Sequence, residues 1–321
     1  LPVPGSPLIS KGRSSFAAAS TAMLSSSVAI YESVLSKKFL ERFEMIVIPT
    51  VNPDGVDQGH WRHNMAGVDL NRDAQALSQR ESKVLRSIFD ALQPDLCLNM
   101  HDQRSIFGIK GPKPATLSFL APSADILKTI TPAREVAMGL IVKMNNYIKA
   151  HHHNQIGRFD DAYNQNCVGD SFTSSGVPTI LFEAGHFKDD YSREQSRSFV
   201  FYALIALFDL DVAFQNKDVG YKEYFNIPQN QKIYKDVVLY NVCIDGEDTL
   251  QTISFLYKEI IHDQNIVFEL YFDAIEVDKD VFGHQYFDLQ GGKVLVNSHQ
   301  NIVIDKKIST IFDINRNLML I

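Results

Sequence analysis

Helix and strand patterns alternate along residues 45–210, and this alternation restricts the fold to the classes that combine both elements in one core. Apolar runs typical of buried strands occur at residues 45–48, 95–100 and 179–182. The segments between them include stretches with the apolar spacing of helices. The sequence therefore predicts an α/β domain over residues 1–216, with a mixed, mostly parallel sheet and helices on both faces.

The pattern changes after Asn216 to short β-branched and aromatic runs with turns between them, such as Asp245-Gly246 and Gly291-Gly292. This spacing predicts a second, mainly β accessory domain over residues 217–321, built as a sandwich or barrel. No metal, nucleophile or phosphate motif occurs in this part of the sequence, and we assign no chemistry to it. The runs lie at residues 232–234, 237–240, 253–257, 266–270, 293–296 and 302–304.

A dense group of polar residues follows the first predicted strand. The sequence 52–55, N-P-D-G, has the composition of a tight turn. Arg62, Asn71 and Arg72 come shortly afterwards, together with Asn64 and Asp69. An arginine presents a planar fork of donors that matches the two oxygens of a carboxylate. This segment therefore predicts a carboxylate-binding site.

The string N-P-D-G followed by R-x-N-x-x-G-V-D-L-N-R resembles the zinc carboxypeptidases of the carboxypeptidase A/B superfamily. The resemblance implies a carboxypeptidase-like fold and an enzyme that removes C-terminal residues from peptides with a zinc-activated water. It also implies that Asn71 and Arg72 bind the terminal carboxylate of the substrate. Arg62 would stabilise the oxyanion formed at the scissile carbonyl.

Two further candidates stand at the ends of predicted strands, where ligands of α/β sheets gather. His101 follows the strand at 95–100, and Glu183 follows the strand at 179–182. A single histidine or strand-end carboxylate is more often structural or exposed than catalytic. The resemblance implies that His101 is a zinc ligand, that Glu183 is the general base, and that Tyr163 closes over the substrate.

The remaining zinc ligands expected from the resemblance are not identified in the sequence. The family supplies two of its three ligands from an H-x-x-E motif ahead of a helix, whereas no histidine precedes His60 here. Phe16 and Ala19 align with the expected His and Glu, and neither side chain binds zinc. The run 151–153, H-H-H, is interpreted as a polar linker. One zinc ion is expected from the resemblance, with His101 as its identified ligand.

The formal net charge of -7 gives no general attraction to nucleic acid or to an anionic membrane. No apolar run reaches the roughly 18 residues of a transmembrane helix, so no membrane span is predicted. Cys97, Cys167 and Cys243 are isolated, which indicates neither a disulfide framework nor a thiolate zinc site. The sequence begins at Leu1, and we expect that an N-terminal piece such as a signal peptide has been removed. A secreted or periplasmic location is therefore favoured.

Two functions agree with these patterns, and both have peptide or protein C-termini as partners. The first is a zinc metallocarboxypeptidase. The second is a metal-free relative that keeps the carboxylate-binding arginines and binds C-termini without cleaving them. A third alternative is that residues 1–36, which are rich in Ser and Ala, do not represent the native start of the active protein.

Overall fold

The protein is described by a computed structural model. The described residues are 6–11, 34–57, 62–109, 113–151, 155–211, 214, 220–244, 249–262, 265–276, 281–297 and 306–321. Their contacts form two compact units, Leu1–Arg104 with Ala115–Asn230 and Ser105–Pro114 with Gln231–Ile321. The predicted domains, 1–216 and 217–321, stay a prediction, because contacts do not show whether either part folds alone.

The secondary structure of the described residues consists of α-helices, two 3₁₀ segments (Leu70–Arg72 and Tyr221–Asn226) and strands. The α-helices are α1 (Val34–Arg42), α2 (Pro53–Asp57), α3 (Arg80–Leu92), α4 (Pro132–His151), α5 (Val168–Ser174) and α6 (Glu194–Leu207). The strands are β1 (Ser6–Lys11), β2 (Glu44–Val47), β3 (Leu96–Asp102), β4 (Phe107–Ile109), β5 (Lys113–Pro114), β6 (Leu117–Leu120), β7 (Ile156–Arg158), β8 (Thr179–Ala184), β9 (Gln231–Lys232), β10 (Tyr234–Val242), β11 (Gln251–His262), β12 (Asn265–Glu276), β13 (Phe282–Asp288), β14 (Val294–Val296), β15 (Lys307–Ile308), β16 (Ile311–Asp313) and β17 (Leu318–Met319).

The first unit contains a mixed sheet with the strand order β2-β1-β3-β8-β6-β7. The predicted mixed α/β architecture is confirmed. Strands β3 and β8 are parallel, as are β6 and β7, whereas β1 runs antiparallel to both of its neighbours and β6 runs antiparallel to β8. The parallel share is thus smaller than predicted, because the apolar pattern of a strand does not encode its direction.

Helices cover both faces of this sheet, as the alternating side chains of β3 show. Leu98 points into a large core that includes residues of α4 and α6. Its neighbour Cys97 points the other way, into a smaller core with residues of α3 and α5. Phe89 of α3 and Phe172 of α5 stack there with ring centroids 4.0 Å apart. The prediction of helices on both faces is therefore confirmed.

The predicted turn at residues 52–55 is instead the start of helix α2. The backbone N–H of Gly55 donates to Asn52 Oδ1 over 3.1 Å, so Asn52 caps the helix and Pro53 takes its first position. The tight-turn prediction was wrong because Asn-Pro is as favourable at a helix start as in a turn.

The pattern of a capping box occurs at the start of α3, as Ser78-x-x-Glu81, and at the start of α6, as Ser192-x-x-Gln195. At both helix starts, an upstream aspartate provides the capping hydrogen bonds instead. Asp73 accepts hydrogen bonds from the backbone N–H groups that precede α3, at Ser78 and Gln79. Asp190 accepts one from the backbone of Ser196 in the first turn of α6. Each carboxylate satisfies donors that the helix leaves unpaired, and each is favoured near the positive end of the helix dipole.

The second unit is rich in strands, as predicted. Its described residues form a five-stranded sheet, β13-β10-β11-β12-β15, and two three-stranded sheets, β14-β16-β17 and β5-β4-β9. The sequence did not predict β13, which pairs in parallel with β10. The predicted run at 302–304 and the turn at 245–246 lie outside the described residues. Within the described ranges, no helix has the length and apolar content needed to cross a bilayer.

A buried arginine anchors the loop between β6 and α4. Arg134 is 1% exposed and donates to the carbonyl oxygens of Ala121 and Lys128, over 3.2 and 2.6 Å. Its guanidinium also pairs with the carboxylate of Asp161, which Lys128 Nζ approaches within 2.8 Å. Burial opposes ionisation of Asp161, but the hydrogen bonds from Lys128 and Arg134 hold its pKa below the usual value. Asp161 therefore balances a buried positive charge.

We expect Asp161→Asn to lower the free energy of unfolding at pH 7 by roughly 3 kcal/mol, because Arg134 is left buried without its counter-charge. The lowered pKa means that the ionised carboxylate stabilises the fold above the usual Asp pKa of 3.8, and that this contribution is lost as the pH falls through the native value. The matched control is Asp90→Asn, which breaks an exposed pair with Arg86 and should cost under about 0.5 kcal/mol. Urea unfolding between pH 7 and pH 3 measures the free energy of unfolding of the two variants and of the parent protein. An equal loss of stability in the two variants would contradict the expectation.

Two glycine substitutions provide a test of packing in the first unit. A methyl group at Gly185 would lie 1.9 Å from the carbonyl oxygen of Ala115, whereas one at Gly139, inside α4, meets no atom within 4 Å. We expect Gly185→Ala to lower the free energy of unfolding by about 1–3 kcal/mol through overpacking. Gly139→Ala should raise it by up to about 1 kcal/mol, because alanine favours the helix. A Gly185→Ala protein as stable as the parent would show that the chain after β8 can move away from Ala115.

Candidate active site

The register of β3 and β8 places His101 and Glu183 side by side. The two strands are parallel, and the Cα atoms of these residues are direct partners. Ser118 of β6 is the partner of Glu183 on its other side. Because partnered residues of neighbouring strands project to the same face, His101, Glu183 and Ser118 form a row across three strands. Both sequence candidates thus stand near the carboxyl ends of their strands, as predicted.

The imidazole of His101 is held in its neutral form. Its pKa is lowered to about 4, mainly by burial and then by the positive charge of Arg72, while Asp69 opposes the shift and Arg62 adds to it. The Nε2 atom is buried and has no hydrogen-bond partner in the part of the chain that the structure describes. A neutral imidazole with an unpaired nitrogen can accept a proton or bind a metal ion.

Glu183 lies 9% exposed beside His101. Burial raises the pKa of its carboxyl group well above the usual value, and the negative charge of Asp102 adds to the shift, whereas Arg72 opposes it. A carboxylate that binds protons more tightly than usual is a stronger base. The environment of Glu183 therefore suits a group that takes a proton from a reacting molecule.

The predicted carboxylate-binding segment forms a 3₁₀ turn at Leu70–Arg72. Leu70 is buried, which anchors the turn in the core. Asp69 accepts a hydrogen bond of 3.0 Å from the backbone N–H of Asn71 and pairs over 2.9 Å with the exposed guanidinium of Arg62. Asp69 thus fixes both the turn and the position of Arg62.

Arg72 is the last residue of this 3₁₀ turn. Its positive charge acts on His101 and Glu183 and also on two groups of the next segment, Cys167 and Asp170. Its side chain is exposed and donates over 2.9 Å to the carbonyl oxygen of Asn71. It forms no ion pair with any residue that the structure describes, so the guanidinium has donors for an incoming carboxylate.

Asn64 and Tyr163 have other surroundings. Asn64 is buried, and its Oδ1 accepts from the backbone N–H groups of Ala66 and Val68, so it holds the loop before the 3₁₀ turn. The hydroxyl of Tyr163 lies 3.5 Å from Ser174 Oγ on α5. Its role as a mobile cover over the substrate stays a prediction.

The sequence did not single out two carboxylates of this region. Asp102 follows His101 directly and raises the pKa of Glu183, so its position next to a candidate ligand was an available signal. Asp170 has a pKa raised to about 6, mainly by burial, although its Oδ2 accepts a hydrogen bond from the backbone of Asn164. No local pattern distinguishes Asp170 from a helix-start aspartate.

The described residues do not complete a zinc site. The unpartnered Nε2 of His101 fits a metal ligand. However, no three side chains of His, Cys, Asp or Glu come together in the described ranges in a way that could hold a metal ion. A catalytic zinc ion takes three ligands from the protein. Phe16 and Ala19 lie outside the described ranges, as do His60 and two residues of the run 151–153.

Residues 22–95 match the sequence profile of a family described as zinc carboxypeptidase. This stretch is similar to the zinc carboxypeptidases. The chain also shares 31% identity over 65 residues with "Probable carboxypeptidase 2" of Arthroderma benhamiae, which covers 20% of this chain and 12% of that protein. The resemblance inferred from residues 52–72 is therefore confirmed, and the match to the family profile ends at residue 95, before His101 and Glu183.

Solved structures to which the chain is similar include a metallo-carboxypeptidase from Burkholderia cenocepacia, at 17% identity and a TM-score of 0.43, over 57% of this chain and 49% of that one. Another is the mDAP-bound form of Csd4, a D,L-carboxypeptidase from Helicobacter pylori, at 12% identity and a TM-score of 0.38, over 83% and 72% of the two chains. The chain spans 12% of the curated relative and about half of the Burkholderia structure.

Proposed function

We propose that this protein is a carboxypeptidase-type hydrolase that acts on peptides with a free C-terminal carboxylate. One observation carries the proposal: Arg72, from the segment that resembles the zinc carboxypeptidases, exerts its charge on both His101 and Glu183. The proposed guanidinium for the substrate's carboxylate thus acts electrostatically on a carboxyl group of raised pKa. Such a combination suits cleavage of a peptide bond close to a chain end.

In this proposal each residue has a distinct role. Arg72 and Asn71 bind the terminal carboxylate, because the guanidinium of Arg72 forms no ion pair among the described residues. Arg62 stabilises the negative charge that develops on the scissile carbonyl. Glu183 takes a proton from the attacking water, in keeping with its raised pKa. The proposal also includes a secreted or periplasmic location. The proposed binding partners are the C-termini of peptides or proteins.

The alternative is a metal-free relative that binds peptide C-termini without cleaving them. One observation from the sequence favours it: Phe16 and Ala19, which align with the family's His and Glu, have side chains that do not bind zinc. Arg72 would bind the carboxylate in either case, so recognition alone does not separate the two functions. Metal content and release of the C-terminal amino acid separate the two functions.

Substitution of Arg72 tests recognition. We expect Arg72→Met to weaken binding of an N-acylated dipeptide about 10- to 100-fold, because a charge-assisted hydrogen bond contributes about 1.5–3 kcal/mol. A dipeptide with an amidated C-terminus should bind the variant and the parent protein equally. Arg80→Met, at the exposed start of α3, is the matched control and should have no effect. Equal losses for the acid and the amide would show that Arg72 does not recognise the carboxylate. Isothermal titration calorimetry measures these affinities.

Zinc content separates the two functions. The peptidase proposal expects about one zinc per chain by elemental analysis after dialysis against a weak chelator, together with release of the C-terminal amino acid. His101→Ala should lose both, whereas His262→Ala, on an exposed strand end of the second unit, should retain both. Zinc no higher than in the His101→Ala protein, with peptide binding intact, would overturn the hydrolase in favour of the binding protein.

A further inference from the structure

Arg193 stands immediately before α6 in an unusual backbone conformation. Its φ of 64° lies in the left-handed region, which disfavours residues with a Cβ atom. The residue is 9% exposed, so a charged side chain is also buried. Strain and charge burial each destabilise the fold unless contacts compensate them, and such combinations occur at functional sites.

The guanidinium of Arg193 contacts the ends of the two strands that carry His101 and Glu183. Its Nη1 atom donates to the carbonyl oxygens of Gln103, Ala184 and Gly185 over 3.1, 3.2 and 2.6 Å. The same nitrogen lies 3.2 Å from a carboxylate oxygen of Asp102. Asp102 and Gln103 directly follow His101 along the chain, and Ala184 and Gly185 directly follow Glu183.

We propose that Arg193 is a positioning residue that sets the relative placement of His101 and Glu183 by binding the carboxyl ends of β3 and β8 together. The expected effect of Arg193 on catalysis rests on the hydrolase function proposed above. The paired register of these strands ends at Asp102 and Ala184. Just past His101 and Glu183, one backbone hydrogen bond, from the N–H of Gln103 to the carbonyl oxygen of Ala184 over 2.8 Å, joins the two strand ends. The side chain of Arg193 adds its own hydrogen bonds to the carbonyl oxygens on both sides of this junction.

The chemistry of the contact suits arginine rather than lysine. A guanidinium is planar, carries five donors and is weakly hydrated, so it can bind several oxygens at once in a buried position. Three carbonyl dipoles and the carboxylate of Asp102 together compensate its charge. A lysine ammonium would supply a point charge on a flexible stem, and it would restrain the two strand ends less.

Helix α6 holds Arg193 in place. Ser196 donates from its hydroxyl over 2.7 Å to the carbonyl oxygen of Gly185, which also accepts from Arg193. The carboxylate of Asp190 accepts a hydrogen bond from the backbone N–H of Ser196 over 3.0 Å. The backbone carbonyl oxygen of Asp190 accepts one from the backbone N–H of Arg193 over 3.1 Å. The start of the helix is thereby joined to the end of β8, so that the guanidinium is held against the strand ends.

Arg193→Lys and Arg193→Gln test the proposal in the full-length chain, with Arg197→Gln as the matched control. Arg197 lies on the same helix and pairs with Glu194 on the exposed surface. With an N-acylated dipeptide as substrate, we expect kcat to fall about 10- to 100-fold and KM to change by less than about threefold, because displacement of reacting groups by about 1 Å has effects of this size. Arg193→Lys should retain more activity than Arg193→Gln.

NMR spectra of the histidine imidazole groups provide a readout that does not depend on activity. The signals of His101, assigned by their loss in His101→Ala, should shift in both Arg193 variants and stay unchanged in Arg197→Gln. Variants that unfold at a lower temperature but keep kcat and the His101 signals would overturn the proposal, since Arg193 would then be a structural anchor alone.

Two further outcomes are decided by the same measurements. A parent protein that binds the dipeptide without releasing product refutes the proposed hydrolase, and the His101 signals then decide the positioning role by themselves. Where neither Arg193 variant folds, Ser196→Ala relaxes the same strand end while Arg193 remains. A shift of the His101 signals in that variant would support the restraint, and unchanged signals would overturn it.

Discussion

The parallel pairing of β3 with β8 is the constraint on which the candidate site depends. It places His101 opposite Glu183, and the next pair of the register, Asp102 and Ala184, also contacts Arg193. A shift of one residue in this register would turn one of the two side chains to the opposite face, into the core formed with α4 and α6. The site therefore exists only in this register, which the apolar residues on both faces of β3 specify.

The electrostatics of the site follow from that placement. Burial favours the uncharged forms of both His101 and Glu183, so the pKa of the imidazole falls and that of the carboxyl group rises. Arg72 acts on both in the same sense, because a nearby positive charge lowers both pKa values. A substrate carboxylate bound to Arg72 would offset that charge. Binding of the substrate would then make His101 and Glu183 more basic at the time when a base is needed.

The sequence predicted the parts of this arrangement that are local. Apolar runs that end in a polar residue located β3, β8, His101 and Glu183, and the spacing of arginine and asparagine located the 3₁₀ turn that carries Arg72. The contacts that distant residues make were not predictable in this way. Asp73 and Asp190 replace the expected helix caps, and Arg193 reaches back 90 residues to Gln103. None of these pairs leaves a periodic pattern, since each depends on how the chain folds back on itself.

The proposed carboxylate recognition and the expected metal chemistry depend on different stretches of the chain. The residues proposed for recognition are local, because Arg62, Asn71 and Arg72 are held by Asp69 and Leu70 within a single loop. A zinc site of the expected kind requires His101 together with two ligands from far upstream, near Phe16 and Ala19. The two properties can therefore be lost separately during evolution. In a chain without the upstream ligands, Asp69 and Leu70 would still hold the arginines proposed to bind the carboxylate, because none of these contacts involves a metal.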